Sequence, residues 1–133
     1  MPENVPVLVV EDNAVNALLV EVQLGHLGYS CDIAADGEEA VERLSKGNYR
    51  LVLMDCMLPG ISGLEATKRW RAREAMRGMK RVPVVALTAN TLADNLAEAR
   101  ESGMDDFLSK PYTLDDLEAA LRRWLESHDA VSH

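Results

Sequence analysis

Five side chains in this sequence stand where short expected strands stop, most of them apolar runs. Glu11 and Asp12 follow Val7-Leu8-Val9-Val10, Asp55 follows Leu51-Val52-Leu53-Met54, Thr88 follows the run from Val82 to Leu87, and Lys110 follows Asp106 to Ser109. Taken singly, an Asp after a strand is a turn residue, a Lys-Pro is a loop and a Thr is an N-cap. Together they make a chemical set. Three carboxylates brought to one place repel unless a proton or a cation joins them, and a hard divalent cation with oxygen ligands answers that need. Mg²⁺ suits a shallow site offering one or two carboxylates, waters and a phosphate. The Thr hydroxyl and the Lys ammonium suit phosphoryl oxygens instead, as a donor and a point charge. A carboxylate nucleophile among such groups fits phosphoryl transfer, which asks mainly for positioning and charge neutralisation.

For these residues to meet, the strands must be neighbours with all their ends pointing one way. The chain alternates five strands with five helices, a pattern that implies parallel strands, right-handed crossovers and helices on both faces. The apolar run 51 to 54 has no polar alternation, as expected of a strand buried on both faces. The expected helices run from Asn13 to Leu27, Glu38 to Ser45, Leu64 to about Met76, through Leu92, Ala93, Leu96 and Ala97 to Ser102, and from Thr113 onward. Asp12 or Asn13 is a candidate cap for the first helix, Asp36-Gly37 reads as a turn, and Thr113 with Asp116 reads as a capping box. The expected fold is a flavodoxin-like, doubly wound five-stranded parallel sheet in the order 2-1-3-4-5. Strands one and three then adjoin at the switch point where such sheets bind ligands.

With 133 residues the chain is long enough for one domain with its own core, here taken as residues 1–126 followed by a tail at 127–133. Its net charge of -8 is a poor balance for holding nucleic acid. No apolar run reaches membrane-spanning length and Met-Pro-Glu-Asn lacks the regions of a signal peptide, so no membrane contact is expected and the cytoplasm is the default compartment. Cys31 and Cys56 match no zinc spacing and read as small buried hydrophobes. Trp70 reads as core.

Two surfaces leave alternatives open. Val15, Leu18, Leu19 and Val22 form one apolar stripe on the first helix, while Val20, Leu24 and Leu27 form another nearly opposite. One stripe faces the sheet; the other is covered by neighbouring helices or is a docking surface. Residues 68–81 hold half of the basic residues, as a solvated helix face or as a surface for an acidic partner.

The segments Val-Val-Glu-Asp-Asn at 9–13, Leu-Met-Asp-Cys-Met-Leu-Pro at 53–59 with Gly63, Leu87-Thr88-Ala89, and Leu108-Ser109-Lys110-Pro111 closely resemble the receiver domain of two-component response regulators. The resemblance runs from Val7 to about Leu125. It implies that Asp55 accepts a phosphoryl group from a phosphohistidine. It also implies that Mg²⁺ is held by Asp12, Asp55 and the main-chain carbonyl of Met57, with Glu11 acting through water, while Thr88 and Lys110 bind the phosphoryl oxygens. The peptide before Pro111 would be cis. Thr88 and Phe107 would form the switch, Phe107 lacking the phenol hydroxyl that many members carry. Positions 57 and 90 would tune the lifetime of the phosphoryl group.

Asn13 and Asn16, Asp55-Cys56, and the run from Thr88-Ala89-Asn90 to Gly103-Met104-Asp105-Asp106 look most like receivers of hybrid sensor histidine kinases. The expected partner is a histidine kinase or a histidine phosphotransfer domain, docking on Val15, Leu18, Leu19 and Val22. The chain itself is expected to be a monomer or weak dimer, either a stand-alone regulator or a module of a hybrid kinase. The competing reading is a haloacid-dehalogenase-like phosphatase, which also uses a strand-end Asp, Mg²⁺, Thr and Lys. Those enzymes place a second Asp two residues beyond the nucleophile, where this chain has Met57.

Overall fold

The computed structural model describes residues 6–126 apart from 48, 59, 79 and 90–92. Strands β1 (Pro6–Val10), β2 (Ser30–Ala34), β3 (Leu51–Asp55), β4 (Val84–Thr88) and β5 (Asp106–Ser109) alternate with helices α1 (Ala14–His26), α2 (Gly37–Lys46), α3 (Gly63–Arg77), α4 (Ala93–Ser102) and α5 (Leu114–Leu121). A π-helical turn over Arg122–Glu126 continues α5. The strands pair in parallel in the order β2-β1-β3-β4-β5, so the flavodoxin-like expectation holds and β3 lies at the centre. The expected tail from 127, the N-terminal residues 1–5, Pro59, Asn90 and Leu92 lie outside the described residues.

Side chains of a strand alternate between its faces, and the sheet therefore builds two cores. Leu8, Val10, Val52, Met54, Val84 and Ala86 pack with Ala40, Leu44 and Trp70 under α2 and α3. Val7, Val9, Leu51, Leu53, Val85 and Leu87 pack with Val20, Leu24, Leu117 and Leu121 under α1 and α5. All five residues of β3 are buried, as its unbroken apolar run requires. Trp70 is core, as expected.

Several expectations are corrected by local bonding. Asp36 is not a free turn residue: its Oδ1 accepts from the Glu39 amide at 2.8 Å, and α2 starts at Gly37. The fourth strand begins at Val84 rather than Val82. The Val82 amide donates to Glu74 at 2.8 Å, its carbonyl accepts from Arg71 at 2.7 Å, and Pro83 has no N–H to give a ladder. In α4 Ala99 and Ser102 are buried, while Ala97 is exposed. Both cysteines are free and half-buried rather than buried; burial, with Glu21 and Asp32 nearby, pushes the Cys31 thiol up to about 11.

The basic stretch is divided by the fold. Arg71 is turned inward, bonding Glu74 Oε1 at 2.9 Å, Asp105 Oδ2 at 2.8 Å, and the carbonyls of Gly103 and Val82. Arg81 reaches the same Asp105 at 2.7 Å. Glu74 also accepts from the Trp70 indole at 3.1 Å. Arg71 is neither a solvated face nor a partner surface, because it ties α3 to the start of β4 and to the turn before β5, whereas Arg81 is 59% exposed while it pairs with Asp105.

Candidate functional site

The register of the sheet sets the site. Val10 pairs with Met54, Asp55 with Leu87 and Thr88 with Ser109, so Glu11, Asp55, Thr88 and Lys110 stand side by side at one rim. The backbone ladder continues past each strand end: Glu11 N–H donates to Ala34, Cys56 N–H to Leu87 and Lys110 N–H to Thr88, at 3.0, 3.2 and 2.8 Å. Each functional residue therefore leaves a fixed main chain.

The cap of α1 is Asn13, whose side chain accepts from the Asn16 amide at 3.0 Å. Neither Glu11 nor Asp12 is needed as the cap, and both remain for other work. One oxygen each of Glu11, Asp12 and Asp55 lie within 4.8 Å of one another. Glu11 and Asp55 are buried, at 4% and 5% exposure, while Asp12 is exposed. Burial pushes the Glu11 carboxyl up and the neighbouring Asp55 adds to this, against the Asn13 amide and the Lys110 ammonium.

Lys110 is the site's own counterion. Its Nζ donates to Asp55 Oδ2 at 3.0 Å and lies 3.5 Å from Glu11 Oε1. Burial opposes its charge, but the bond to Asp55 and the two carboxylates outweigh burial and raise its pKa. The other oxygen of Asp55, Oδ1, accepts from the Met57 amide at 3.0 Å. The Lys110–Pro111 peptide is cis, as the resemblance implies. The structure thus brings Glu11, Asp12, Asp55, Lys110 and the Met57 main chain together, with Thr88 one residue past the partner of Asp55 on β4. Phe107 lies two residues along β5 from Ser109, half in solvent at 36% exposure.

Two contributions were missed in the sequence. The Met57 amide is a backbone group, with no signature in residue type. Gly63, first residue of α3, donates to the Cys56 carbonyl at 3.2 Å, and a Cβ on it would lie 2.2 Å from the Asp55 carbonyl oxygen. Its place after the helix cap Ser62 gave no sign of that close approach.

The two stripes of α1 separate cleanly. Ala17, Val20 and Leu24 are buried. Val15, Leu18, Leu19 and Val22 are 74%, 59%, 56% and 60% exposed, so no neighbouring helix covers them. Between this helix and the Pro111-Tyr112 turn, a cavity of about 430 Å³ opens beside Glu11 and Lys110. Another, of about 300 Å³, lies at the far end of the sheet beside Tyr49, Trp70 and Trp124 and away from these groups.

Position 57 carries an exposed thioether side chain, so the general acid of the phosphatase reading is missing. Among the described residues no helix is long and apolar enough to cross a membrane.

Residues 7–122 match the family described as response regulator receiver domain. Histidine kinase 5 of Arabidopsis thaliana is 36% identical over 142 residues, and sensor histidine kinase RcsC of Escherichia coli (strain K12) is 40% identical over 124 residues. These alignments take in 90% and 93% of this chain, which spans 15% and 12% of the length of those curated relatives. Among solved structures, the receiver domain of sensor histidine kinase PA1611 from Pseudomonas aeruginosa PAO1, with a magnesium ion coordinated in its active site cleft, superposes with a TM-score of 0.82. It is 41% identical, over 92% of this chain and 98% of that one. A co-crystal structure of the Saccharomyces cerevisiae histidine phosphotransfer signalling protein Ypd1 with the receiver domain of Ssk1 matches with a TM-score of 0.87 at 34% identity, over 91% of this chain and 88% of that one.

Proposed function

From the premise that this chain belongs to the response regulator receiver domain family, we propose that it is a phosphoacceptor switch in which Asp55 receives a phosphoryl group from a phosphohistidine. The observation that carries the reading is the placement of Asp55: a buried carboxylate held at both oxygens by Lys110 and the Met57 amide, beside two further carboxylates.

Three carboxylates within 4.8 Å, one of them with a raised pKa, are the donor set that a hard divalent cation fits. Asp12, Asp55 and the Met57 carbonyl would hold Mg²⁺, with Glu11 behind them. When bound, the ion offsets negative charge between the carboxylates and the incoming phosphoryl oxygens. The protein's own groups do the rest. The Met57 amide and Lys110 fix the Asp55 carboxylate at the rim, and Asp55 attacks phosphorus. The N–P bond of the phosphohistidine breaks as the O–P bond to Asp55 forms, and the freed imidazole takes a proton. Lys110, already against Asp55, and the Thr88 hydroxyl then face the new phosphoryl oxygens. The chain is a reactant in its own phosphorylation and dephosphorylation, and no outside substrate is implied.

The proposed donor is a histidine kinase or a histidine phosphotransfer domain, seated on Val15, Leu18, Leu19 and Val22. Four exposed apolar residues on one helix beside the acid pair support that docking surface. Phe107 on the edge strand β5, opposite Ala86 and two residues from the partner of Thr88, is the proposed readout. The test is mass-spectrometric mapping of the acyl phosphate after incubation with Mg²⁺ and acetyl phosphate. Label is expected on Asp55 and lost in Asp55→Asn; an Asp55→Asn protein labelled as well as the parent would overturn the assignment.

A further inference from the structure

Residues 63–81 hold seven of the 14 Lys and Arg of the chain but only two of its 22 Asp and Glu, leaving seven cations against twenty carboxylates elsewhere. The molecule is bipolar, and the fold shows where its positive pole opens. Arg71 is occupied internally by Glu74 and Asp105, and the exposed Arg81 is paired with Asp105. Arg69, Arg73 and Arg77 follow one another at intervals of four along α3, all exposed. With Lys46 they line an open groove between α2 and α3 of about 730 Å³, in which Val41 and Ala72 supply apolar surface and Glu38 and Glu42 the only acids.

The arginine forks are held in place by neutral oxygens. Arg73 donates to the Ser45 hydroxyl at 3.2 Å and Arg77 to the Ser45 carbonyl at 3.0 Å; among the described residues neither has a carboxylate partner. Arg69 with Glu65 and Lys46 with Glu42 are exposed pairs that an incoming carboxylate can exchange at little cost.

We propose that the α2–α3 groove docks an acidic helical segment of a partner protein through Arg69, Arg73 and Arg77. A spacing of four residues is about 6 Å along a helix, the same repeat at which carboxylates at i, i+4 and i+8 line one face of a second helix. Arginine is the side chain suited to planar, two-pronged recognition of carboxylates. A polyanion such as RNA extends beyond the groove and meets the rest of a chain in which carboxylates outnumber cations, and a bilayer is too flat to enter it. The proposal does not depend on the phosphoacceptor reading, and its test leaves Asp55 untouched.

The experiment is a titration of the ¹⁵N-labelled chain with an 18-residue peptide bearing Glu at every fourth position on an Ala/Leu background. The controls are the Gln-for-Glu peptide, a single-stranded RNA 20-mer and phosphatidylserine vesicles. Amide shifts are expected over 38–46 and 65–77. Binding should weaken at least about fivefold in Arg69→Glu/Arg73→Glu, and again on raising salt, as several exposed ion pairs together would require. Arg73→Gln/Arg77→Gln, of nearly unchanged shape, should show the same loss, and thermal melts confirm folding of both variants. No binding at millimolar peptide, equal binding of the Gln peptide, shifts confined to other elements, or capture by RNA or vesicles in place of the peptide each overturns the proposal.

Discussion

Gly63→Ala tests how the helix after the acceptor holds the acceptor in place. The added Cβ would stand 2.2 Å from the Asp55 carbonyl oxygen and 3.1 Å from both the Asp55 carbonyl carbon and Cys56 Cα. A carbon in contact with a carbonyl oxygen sits at about 3.3 Å, so the start of α3 and the end of β3 must part by about 1 Å. That separation also breaks the Gly63 to Cys56 hydrogen bond. Overpacking costs about 1–3 kcal/mol and the lost bond about 1, giving roughly 2–4 kcal/mol in all. For a domain of this length that is a fall of about 8–16 °C in Tm. A displacement of about 1 Å at a reacting group can also slow transfer up to about 100-fold. Thermal melts and initial rates of acetyl-phosphate labelling read the two effects separately. Gly25→Ala is the control: nothing lies within 4 Å of its Cβ, and it should stabilise α1 by about 0.5–1 kcal/mol. A Gly63→Ala protein that melts within 2 °C of the parent refutes the close approach, a threshold set at about half a kcal/mol. One that melts lower but labels at the parent rate refutes its role in positioning Asp55.

Val15→Asp/Val22→Asp should leave acetyl-phosphate labelling and the melting profile unchanged. Transfer from a phosphohistidine protein should drop at least about tenfold, and unchanged transfer would make the stripe irrelevant to docking. Burial, with the nearby Glu11 carboxylate, pushes the Tyr112 phenol up to about 12. Because the folded value is raised, its contribution to stability is complete below the ordinary value near 10 and disappears as pH climbs through 12. Phenolate absorbance should show a late ionisation that Tyr112→Phe removes; its persistence in the variant would show that it belongs to another tyrosine. Arg71→Met leaves Glu74 and Asp105 without their inward partner and should cost about 3–5 kcal/mol in chemical denaturation, whereas a loss under 1 kcal/mol would show that the network is dispensable.

The fold was legible because its signals repeat. Unbroken apolar runs marked β1, β3 and β4, while the alternation of strands with helices placed β2 and β5, and the side of α1 facing the sheet could be narrowed to one of two stripes. The site was legible because its residues are set by strand ends, which parallel topology gathers at one rim. What stayed hidden depends on contacts between distant segments. Nothing in the spacing of Arg71 says that it meets Asp105, 34 positions away, and a count of charges assigned it to the surface. The Gly63 contact is likewise a matter of ångströms between backbones. Asp36 shows the reverse difficulty, since the same residue type serves turns and helix caps, and only its bond to Glu39 decides.

Phe107 and Asp55 differ in mechanical setting. Asp55 ends the central strand, clasped on both sides by ladders to β1 and β4 and covered by a core on each face. β5 is a margin: four residues long, bonded to β4 alone. Stiffness therefore falls from the middle of the sheet outward. An event at Asp55 is registered against a rigid reference, whereas a shift of Phe107 strains a single ladder. A signal generated at the stiff centre can be expressed at the compliant rim without loosening the strands that hold the chemistry.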